Sequence, residues 1–448
     1  MVSGKKSEQV SVPDKGTTII AKVKPSLKER GNNGARRKEY FNLETCHHDI
    51  YPDAAEFKVE EGKKIRTTDC IRYEFIPPRF IKHIYHQHYY ACKGTVYAGS
   101  LPAVPLLNSN YDASFIAGIL QLRYIYSMPV ERIIKLFAEH GFEMNKATAH
   151  GLIKKAAGLF DLVEDVLKET VLSDNYLSMD ESYYTVLTSD TNNPSGKSTA
   201  KGYIWAALAN HLKLVHFFYE NGSRSRKVLT GYLREDYRGA IQSDGLGNYK
   251  IIEKEAYPDA IRLSCFQHCK RKFLNITGNK DAEKIVRIIN RLYQNEHRIP
   301  PDWTACQILD YRNKYAPPIL KELKEELINI KNKKSTLPKS ELSKAINYTL
   351  NEYDALCNYI RSADYAPDNN AIERLMRYIS LSRRNSLFCG SHQGAKRAAL
   401  IYSLACSCRL NNINSFEYFK DLLTKLIDIN PNTDHETIRN LLPHKWQR

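Results

Sequence analysis

One stretch, residues 177–187, decides the fold of this chain; it reads LSMDESYYTVL. Apolar, aromatic and β-branched residues dominate it, a composition typical of a half-buried β-strand. Asp180 and Glu181 lie inside this strand pattern. A buried carboxylate is costly unless it is paired or binds a cation. The acidic pair therefore indicates either a cation site or two solvated side chains at the point where the strand leaves the core.

The segments that follow have the order of an α/β fold. Two apolar runs, a helical segment and two further apolar runs succeed one another at residues 202–208, 214–219, 225–233, 239–245 and 261–266. A ribonuclease-H-like fold has this order along the chain: three strands, a helix, a strand, a helix and a strand. In such sheets the chemistry collects at strand ends. Asp244 lies at one such end, in a turn that Gly245 keeps open.

A helical block interrupts this core. Apolar residues recur at helical spacing in three segments between residues 274 and 360, which predicts a helical insertion. Beyond it, residues 367–377 read PDNNAIERLMR, a helix start. With Asn370 as N-cap, Glu373 would be the N3 residue of a capping box. Taken alone, this segment favours capping as the role of Glu373.

Composition indicates a soluble protein with a polyanionic partner. Of 448 residues, 66 are Lys or Arg and 50 are Asp or Glu, a formal charge of +16, and this basic excess favours nucleic acid. The length predicts two to four domains. No secretory signal or membrane-spanning apolar run is present, and the ten cysteines show no disulfide spacing. We therefore expect a cytosolic protein with reduced thiols and no membrane partner.

The amino-terminal region divides into two parts. Residues 1–45 are basic and without periodicity, which predicts a flexible tail. Residues 46–110 are predicted to be β-rich, with aromatic and β-branched runs at 71–75 and 80–92. Several Cys and His residues lie here, but no Cys-x-x-Cys pair and no standard finger spacing accompany them. The pattern does not favour a zinc site.

Residues 111–172 have a helical period. Asp112 and Asn145 are predicted N-caps, and Gly141 lies in the turn between a second and a third helix. This arrangement is typical of a helix-turn-helix, although a plain helical hairpin packed on the next domain has the same pattern. The side chains that the third helix would offer to DNA are Lys146, Thr148, His150, Lys154 and Lys155.

Six short motifs resemble, in the same order, those of the insertion sequence 66 family of bacterial transposases. They are MDES at 179–182, QSDG at 242–245, CFQHCKRKF at 265–273, DNNAIER at 368–374, SRRNSLFCGS at 382–391 and AALIYSL at 398–404. Each motif is weak singly, but their order and joint presence are specific. The chain departs from many family members in lacking an amino-terminal Cys-x-x-Cys motif and leucine-zipper-like heptads.

The resemblance implies an Asp-Asp-Glu catalytic triple on a ribonuclease-H-like core, formed here by Asp180, Asp244 and Glu373. These acids would bind two Mg²⁺ ions, with Mn²⁺ as a substitute, because hard cations prefer carboxylate oxygens. Arg271, Lys272, Arg383 and Arg384 are candidates for phosphate contacts, with a solvated basic face as the alternative. Cys265 and His268 are either half of a zinc site or support for the active site.

The implied function is DNA transposition in a bacterial cytoplasm, at the nucleoid. The implied partners are the terminal repeats of the element, target DNA, further copies of the chain and accessory proteins of the element. A ribonuclease-H-like nuclease and a non-catalytic DNA-binding remnant remain as alternatives. The predicted domains are a tail (1–45), a β-rich segment (46–110), a DNA-binding region (111–172), a core (173–273 and 361–400), an insertion (274–360) and a carboxyl-terminal helical segment (401–448).

Overall fold

The computed structural model divides the chain into two units, Met1–Ile76 and Pro77–Arg448. It describes Thr45 and residues 79–92, 95–188, 198–245, 247–250, 257–430 and 432–447. The predicted strand at 71–75 and, apart from Thr45, the predicted tail lie outside the described residues. The elements below all belong to the second unit.

The β-rich segment contains a short hairpin in its described part. β1 (Tyr89–Cys92) pairs antiparallel with β2 (Thr95–Ala98). The run predicted as a strand over 80–92 is extended only at its end. Its earlier residues, which include the exposed Ile81 and Ile84, pair with no strand among the described residues.

A helical region follows with the predicted caps. It comprises α1 (Ala113–Leu120), a π-helical turn (Gln121–Ile125), α2 (Val130–Glu139) and α3 (Lys146–Leu172). The side chain of Asp112 accepts hydrogen bonds from the first turn of α1, and that of Asn145 accepts one from Thr148 N at 2.7 Å. Gly141 follows α2 with a φ of +81°, in the left-handed region that glycine adopts without strain. Both predicted caps are confirmed.

A five-stranded mixed sheet forms the centre of the unit. Its strands are β3 (Tyr176–Leu187), β4 (Thr199–Ala209), β5 (Leu214–Phe218), β6 (Ala240–Gln242) and β7 (Ile261–Leu263), with α4 (Arg226–Tyr232) between β5 and β6. The spatial order is β5-β4-β3-β6-β7. β4 runs antiparallel to both of its neighbours, β3 and β5, and β6 and β7 run parallel to β3. The strands and α4 follow one another along the chain as predicted, and the second predicted helix would lie between β6 and β7, where residues 251–256 are outside the described residues.

The two parallel strands are shorter than their apolar runs. The run at 239–245 is a strand only over β6, so Asp244 lies two residues beyond the strand end. The run at 261–266 is a strand only over β7, because Phe266 already begins a helix. At the end of β7, Cys265 and Phe266 are fully buried, and Phe266 belongs to the core of the inserted helices, so its apolar character reflects that packing and not pairing in the sheet.

Helices make up the rest of the described chain. They are α5 (Phe266–Leu274), α6 (Lys280–His297), α7 (Ala305–Lys331), α8 (Glu341–Asn351), α9 (Tyr353–Cys357), α10 (Asn370–Asn385), α11 (His392–Leu410), α12 (Ser415–Lys425) and α13 (His435–Arg439). A 3-10 turn (Asn358–Arg361) follows α9. The third predicted segment of the insertion, residues 342–357, is not one helix. It forms two helices, α8 and α9, which meet at the buried Glu352.

Helices α5 to α9 surround a hydrophobic core of their own. Its residues include Phe273, Ile289, Leu323 and Ile346, all nearly inaccessible to solvent. A second and larger core joins α1 to α3, the sheet and α10 to α12. The inserted helices therefore bury their apolar faces mainly against one another.

A buried ion pair ties these inserted helices to the sheet. Glu352 Oε2 lies 2.6 Å from Arg262 Nη1 of β7, and Lys250 Nζ lies 2.8 Å from Oε1 of the same carboxylate. Ser264 Oγ donates a further hydrogen bond to Glu352 at 3.0 Å. Burial alone would raise the pKa of Glu352, but the two cations outweigh it and hold this pKa below its ordinary value. The Glu352 carboxylate is therefore ionised at neutral pH.

Replacing Glu352 by Gln should destabilise the protein markedly. The variant would remove the carboxylate that the buried Arg262 guanidinium binds, and removing one partner of a buried ion pair typically costs about 3 kcal/mol or more of unfolding free energy. Urea unfolding followed by circular dichroism at pH 7 measures this loss. The control is Glu341→Gln, which breaks the exposed pair with Lys344 and should cost less than about 1 kcal/mol. Equal losses in the two variants would contradict the assigned role of the buried pair.

Candidate active site

The site lies along one edge of β3. On this edge β6 pairs only with residues 176–178, and the next backbone pairing is the bridge between Val186 and Cys389. Between these points α10 supplies side-chain hydrogen bonds in place of a neighbouring strand. Asn369 Nδ2 donates to Met179 O at 3.0 Å, and Arg383 Nη1 donates to Tyr183 O at 2.7 Å. Helix α10 is thereby held against the part of β3 that contains Asp180.

A buried polar network fixes the segment that leads into α10. The Tyr176 hydroxyl donates to Gln242 Oε1, and it accepts a hydrogen bond from Ala366 N at 3.1 Å. Gln242 Nε2 in turn donates to Ala366 O at 2.8 Å. One tyrosine of β3 and one glutamine of β6 thus bind both backbone groups of the same residue. Buried networks that satisfy every member in this way specify a single arrangement.

The structure brings the three predicted acids together from three separate segments. Asp180 lies on β3, Asp244 follows β6, and Glu373 lies in the first turn of α10. Burial raises the pKa of Asp180 well above its ordinary value, and the charges of Glu181, Asp244 and Glu373 raise it further. Four carboxylates within electrostatic range of one another repel unless a cation compensates them.

Glu373 is not a helix cap. The N-cap of α10 is Asn369, not Asn370. The Asn369 side chain makes no capping hydrogen bond to the first turn of the helix. The amide of Asn369 bonds instead to Met179 O on β3, so packing against the sheet overrides the local capping pattern. His268 Nδ1 and the Arg271 guanidinium Nη2 each lie 3.6 Å from one oxygen of Glu373. Glu373 Oε1 is buried and has no hydrogen-bond partner.

These features fit a hard divalent cation. A buried carboxylate oxygen without a donor is costly, and a metal ion would satisfy it. Burial raises the pKa of Asp180, and the negative charges of Glu181, Asp244 and Glu373 raise it further, so negative charge is concentrated at this point. Carboxylate oxygens are the ligands that Mg²⁺ and Mn²⁺ prefer. Asp180, Asp244 and Glu373 are therefore a suitable ligand set.

A mixed group of possible metal ligands adjoins the acids. The ligand atoms of Cys265, His268 and Glu373 lie within 4.8 Å of one another. Cys265 Sγ already accepts a hydrogen bond from Asn369 N at 3.3 Å, and burial raises the pKa of this thiol to about 12. A structural zinc site has four ligands and binds thiolates, so this group of three is incomplete. The absence of bound zinc stays a prediction.

Glu181 has a structural role that the sequence did not indicate. Its carboxylate accepts hydrogen bonds from Arg224 Nε at 3.0 Å and Nη2 at 2.6 Å, and from the Tyr249 hydroxyl at 3.0 Å. Its side chain is only 2% exposed. Glu181 thus links β3 to the loop after β5 and to the turn that follows Asp244. No local pattern in the sequence indicates that Arg224 pairs with Glu181.

Three of the four arginines and lysines predicted to contact phosphate adjoin the site. Arg271 lies beside Glu373, and Arg383 bonds to Ser182 Oγ at 2.9 Å and to Tyr183 O. Lys272 Nζ lies 4.2 Å from the centre of the Tyr348 ring, and the hydroxyl of this tyrosine accepts a hydrogen bond from Gly245 N. Arg384, the fourth, is exposed on α10.

The side chains predicted to read DNA lie at the start of α3. Lys146 forms an ion pair with Glu131 of α2. The charges that act on His150 are those of Lys146, Glu131 and Arg123, and Thr148 supplies the backbone N–H that Asn145 caps. Lys154 and Lys155 are exposed. This group is therefore a second basic region, and the partners named here all lie in the helical region 111–172.

Gly245 is required for close packing and not for its backbone conformation. It is not among the residues with positive φ, but a Cβ at this position would overlap the hydroxyl and ring of Tyr348. Tyr348 belongs to α8, so a helix of the insertion packs directly on the residue after Asp244. Glycine is therefore needed here because it leaves room for the Tyr348 ring, and not because it opens the turn as predicted.

The profile of the family described as Transposase IS66 family matches residues 108–397, more than half of the chain. Three proteins of Sinorhizobium fredii (strain NBRC 101917 / NGR234), all named as uncharacterized, are similar in sequence. Protein y4jD is 26% identical, and the match covers 80% of this chain and 70% of y4jD. Protein y4qI is 23% identical, with 82% of this chain and 69% of y4qI covered. Protein y4hP is 24% identical, with 75% of this chain and 62% of y4hP covered.

The Drosophila P element transposase strand transfer complex is similar in structure, with a TM-score of 0.31 and 11% identity over 66% of this chain and 92% of that one. This likeness is too distant to carry weight. In the described residues, no helix is both long and apolar enough to cross a membrane.

The repulsion among the acids predicts a stabilising substitution. Asp180 has a raised pKa in the folded protein, so the fold loses stability as the pH rises above 3.8, where the unfolded chain releases this proton. Without metal ions, Asp180→Asn should therefore raise Tm at pH 7, and the gain should vanish below about pH 4. Thermal unfolding between pH 4 and 8 with a chelator measures the effect.

The control for this measurement is Asp354→Asn, on the exposed side of α9. We expect no comparable gain in Tm from it. Added Mg²⁺ should raise the Tm of the unsubstituted protein more than that of Asp180→Asn, because only the former keeps the full ligand charge. An Asp180→Asn variant that is less stable at pH 7 without metal would contradict the electrostatic assignment.

Proposed function

The chain belongs to the IS66 family of transposases, and we propose that it catalyses the transposition of a bacterial insertion sequence. The observation that supports this proposal most directly is the meeting of Asp180, Asp244 and Glu373 at the edge of β3. Three acids from distant segments, one of them with a buried oxygen that lacks a donor, form a site for divalent metal ions.

The proposed reaction has two phosphoryl-transfer steps. In the first, water attacks a phosphodiester at the element end, and the bond to the 3′ oxygen breaks to leave a free 3′-hydroxyl. In the second, this hydroxyl attacks a phosphodiester of target DNA, and one new bond replaces the one that breaks. Neither step requires a covalent bond to the protein. When bound, two Mg²⁺ ions, or Mn²⁺ as a substitute, would activate the attacking oxygen and stabilise the leaving oxygen.

The residues of the chain orient the acids and the DNA around this chemistry. Asn369 and Arg383 hold α10 on β3, and so fix Glu373 opposite Asp180. Arg271 is suited to contact a phosphate beside Glu373, because a guanidinium binds phosphate oxygens in a bidentate manner. The insertion supports Asp244 through the contact between Tyr348 and Gly245.

The proposed DNA partners are the terminal repeats and the target. We assign recognition of the repeats to α2, the turn at Gly141 and the first turns of α3, as a helix-turn-helix. Lys154 and Lys155 are exposed there and available for phosphate contacts. The proposal includes assembly of several copies on DNA, with accessory proteins of the element as further partners, at the nucleoid of a bacterial cytoplasm.

Conservative replacement of each acid should abolish the reaction without abolishing DNA binding. We expect Asp180→Asn, Asp244→Asn and Glu373→Gln each to lower Mg²⁺-dependent joining of a preformed 3′ end by more than about a hundredfold, since each removes a metal ligand but little volume. Gel assays of joining and binding on the same end substrate measure the two properties separately. Asp354→Asn is the control.

Two results would change the proposal. Cleavage without joining in the unsubstituted protein would indicate a nuclease. Near-normal joining by Glu373→Gln would remove this residue from the triple. Asp368, whose Oδ1 accepts a hydrogen bond from Asn370 N at 3.0 Å, would then be the first replacement to test.

A matched pair of glycines tests the support of Asp244 by the insertion. In Gly245→Ala the new methyl group would overlap Tyr348 and displace the turn, whereas Gly247→Ala places a methyl group in open space. Small displacements of catalytic groups can cost about a hundredfold in rate. We expect a loss of this order in joining for Gly245→Ala and almost none for Gly247→Ala. Equal rates would show that Tyr348 does not position Asp244.

The helix-turn-helix assignment has its own test. Replacing Lys154 and Lys155 by Ala should weaken binding to element ends and flatten its salt dependence, by about 0.9 in the logarithmic slope for each phosphate that the variant no longer neutralises. The control replaces Lys321 and Lys339, two exposed lysines of the insertion. Fluorescence anisotropy at several salt concentrations measures both slopes. An unchanged slope in a folded variant would identify the segment as a packing hairpin.

A further inference from the structure

Two tyrosines lie side by side on β3 and β4, near the acids. Tyr183 and Tyr203 are direct cross-strand partners, so their side chains point to the same face of the sheet. Tyr183 is 41% exposed, and Tyr203 is partly buried. Their rings therefore lie at the surface and not in the central core.

Three cations surround these two rings. Lys201 Nζ lies 4.9 Å from the centre of the Tyr183 ring and 5.6 Å from that of Tyr203. Arg224 Cζ lies 4.9 Å from the Tyr203 ring, and Arg383 Cζ lies 3.6 Å from the Tyr183 ring. Cations and rings thus alternate across the surface. We call Tyr183, Lys201, Tyr203, Arg224 and Arg383 the tyrosine–cation surface.

This surface is continuous with the acids. Tyr183 follows Glu181 by two positions, which places both side chains on one face of β3. Arg224 bonds to Glu181, and its electrostatic partners include Asp244. Arg383 bonds to Ser182, two residues after Asp180, and belongs to the same helix as Glu373. Asp180 lies on the opposite face of β3, so the surface approaches the acids from the sheet edge, through Arg224, which interacts electrostatically with Asp244, and through Arg383 on the helix of Glu373.

The chemistry of the surface suits unpaired nucleotides. Exposed rings stack on the faces of bases, and flanking cations bind the phosphates between them. The only carboxylate bonded to the surface, among the described contacts, is Glu181, which is buried and already held by Arg224 and Tyr249. Lys201 has a flexible stem, so it can move from the rings to a phosphate when a base takes its place.

We propose that the tyrosine–cation surface binds a short single-stranded DNA segment adjoining the phosphate that reacts. This proposal rests on the proposed function for the identity of the DNA, and it adds a site for unpaired bases to the acids. A base pair inside a duplex cannot present its face to a protein ring. Affinity that depends on the tyrosine rings therefore separates unpaired DNA from duplex DNA, which would use only the cations.

The test compares two probes with one set of variants. The full chain, kept with a chelator so that no cleavage occurs, is titrated against a labelled 12-nucleotide thymidine strand and a 12-base-pair duplex, and Kd is read by fluorescence anisotropy. Tyr183→Ala should weaken binding of the single strand about tenfold, within the range found for loss of one stacked base. Tyr183→Phe, which keeps the ring, should change Kd less than about twofold, and the duplex should be nearly unaffected by either change.

The insertion offers a matched control. Tyr315 is 43% exposed on α7, and Lys314 Nζ lies 5.3 Å from its ring. Tyr315→Ala removes a similar ring and cation contact elsewhere and should leave both affinities unchanged. Lys201→Ala should weaken both probes, because it removes a phosphate contact, whereas Lys314→Ala should weaken neither.

Three results would overturn the proposal. These are an unchanged Kd for the single strand in Tyr183→Ala, an equal loss for the duplex, or an equal loss in Tyr315→Ala. Because Arg383 packs on Tyr183, thermal unfolding of every variant accompanies the titrations. If Tyr183→Ala does not fold, Tyr183→Leu and Tyr203→Leu replace it, since leucine keeps the bulk but not the ring face.

Joining assays on the unsubstituted protein separate this proposal from the proposed function. Ring-dependent binding of the single strand together with no joining would retain the surface and reject the transposition chemistry. Normal joining together with ring-independent binding would retain the chemistry and reject the surface.

Discussion

The site depends on the hydrogen bonds that attach the start of α10 to the sheet. Tyr176 and Gln242 bind both backbone groups of Ala366, and Asn369 binds Met179 O beside Asp180. The Asn369 bond takes the place of one that a further strand would have made along β3, and the Tyr176 and Gln242 bonds satisfy backbone groups of Ala366 that would otherwise be orphaned. Because they also determine where α10 begins, they bring Glu373 to a sheet from which it is distant in the chain.

The helical insertion can separate the strands from Glu373 without disturbing this attachment, because it buries its own core. It is nevertheless more than a spacer. The Arg262–Glu352 pair anchors it to β7, and Tyr348 packs on Gly245 beside Asp244. Each of these contacts reaches a strand end that contributes to the site. The insertion thereby holds the turn at Asp244 directly, and it also holds β7, from whose end α5 leads to His268 and Arg271.

Charge is distributed unevenly around the acids. Four carboxylates share a small region, and Glu181 is bound directly by a guanidinium and a hydroxyl. Asp180 instead has its pKa raised by burial and by its neighbours, the state expected of a metal ligand in the absence of its ion. Cations lie around these acids, on α5, α10 and the loop after β5. Such a ring of positive charge favours the approach of a polyanion to an otherwise negative centre.

The sequence by itself determined the elements whose signals are local. The strand at 177–187, the hairpin after it and the caps at Asp112 and Asn145 follow from alternation and capping chemistry, and the structure contains all of them. The grouping of the three acids came from family resemblance, since no local pattern relates residues so far apart.

Only the tertiary structure decided that the Asn369 side chain bonds to β3 and not to the first turn of α10. The same holds for the ion pair of Arg224 with Glu181 and for the room that Gly245 leaves for Tyr348. The tertiary structure also ended β7 before Phe266, which packs in the core of the inserted helices. Each of these outcomes is a contact between distant segments. Its energy depends on packing that forms only when the chain has folded, so it leaves no periodic trace in the sequence.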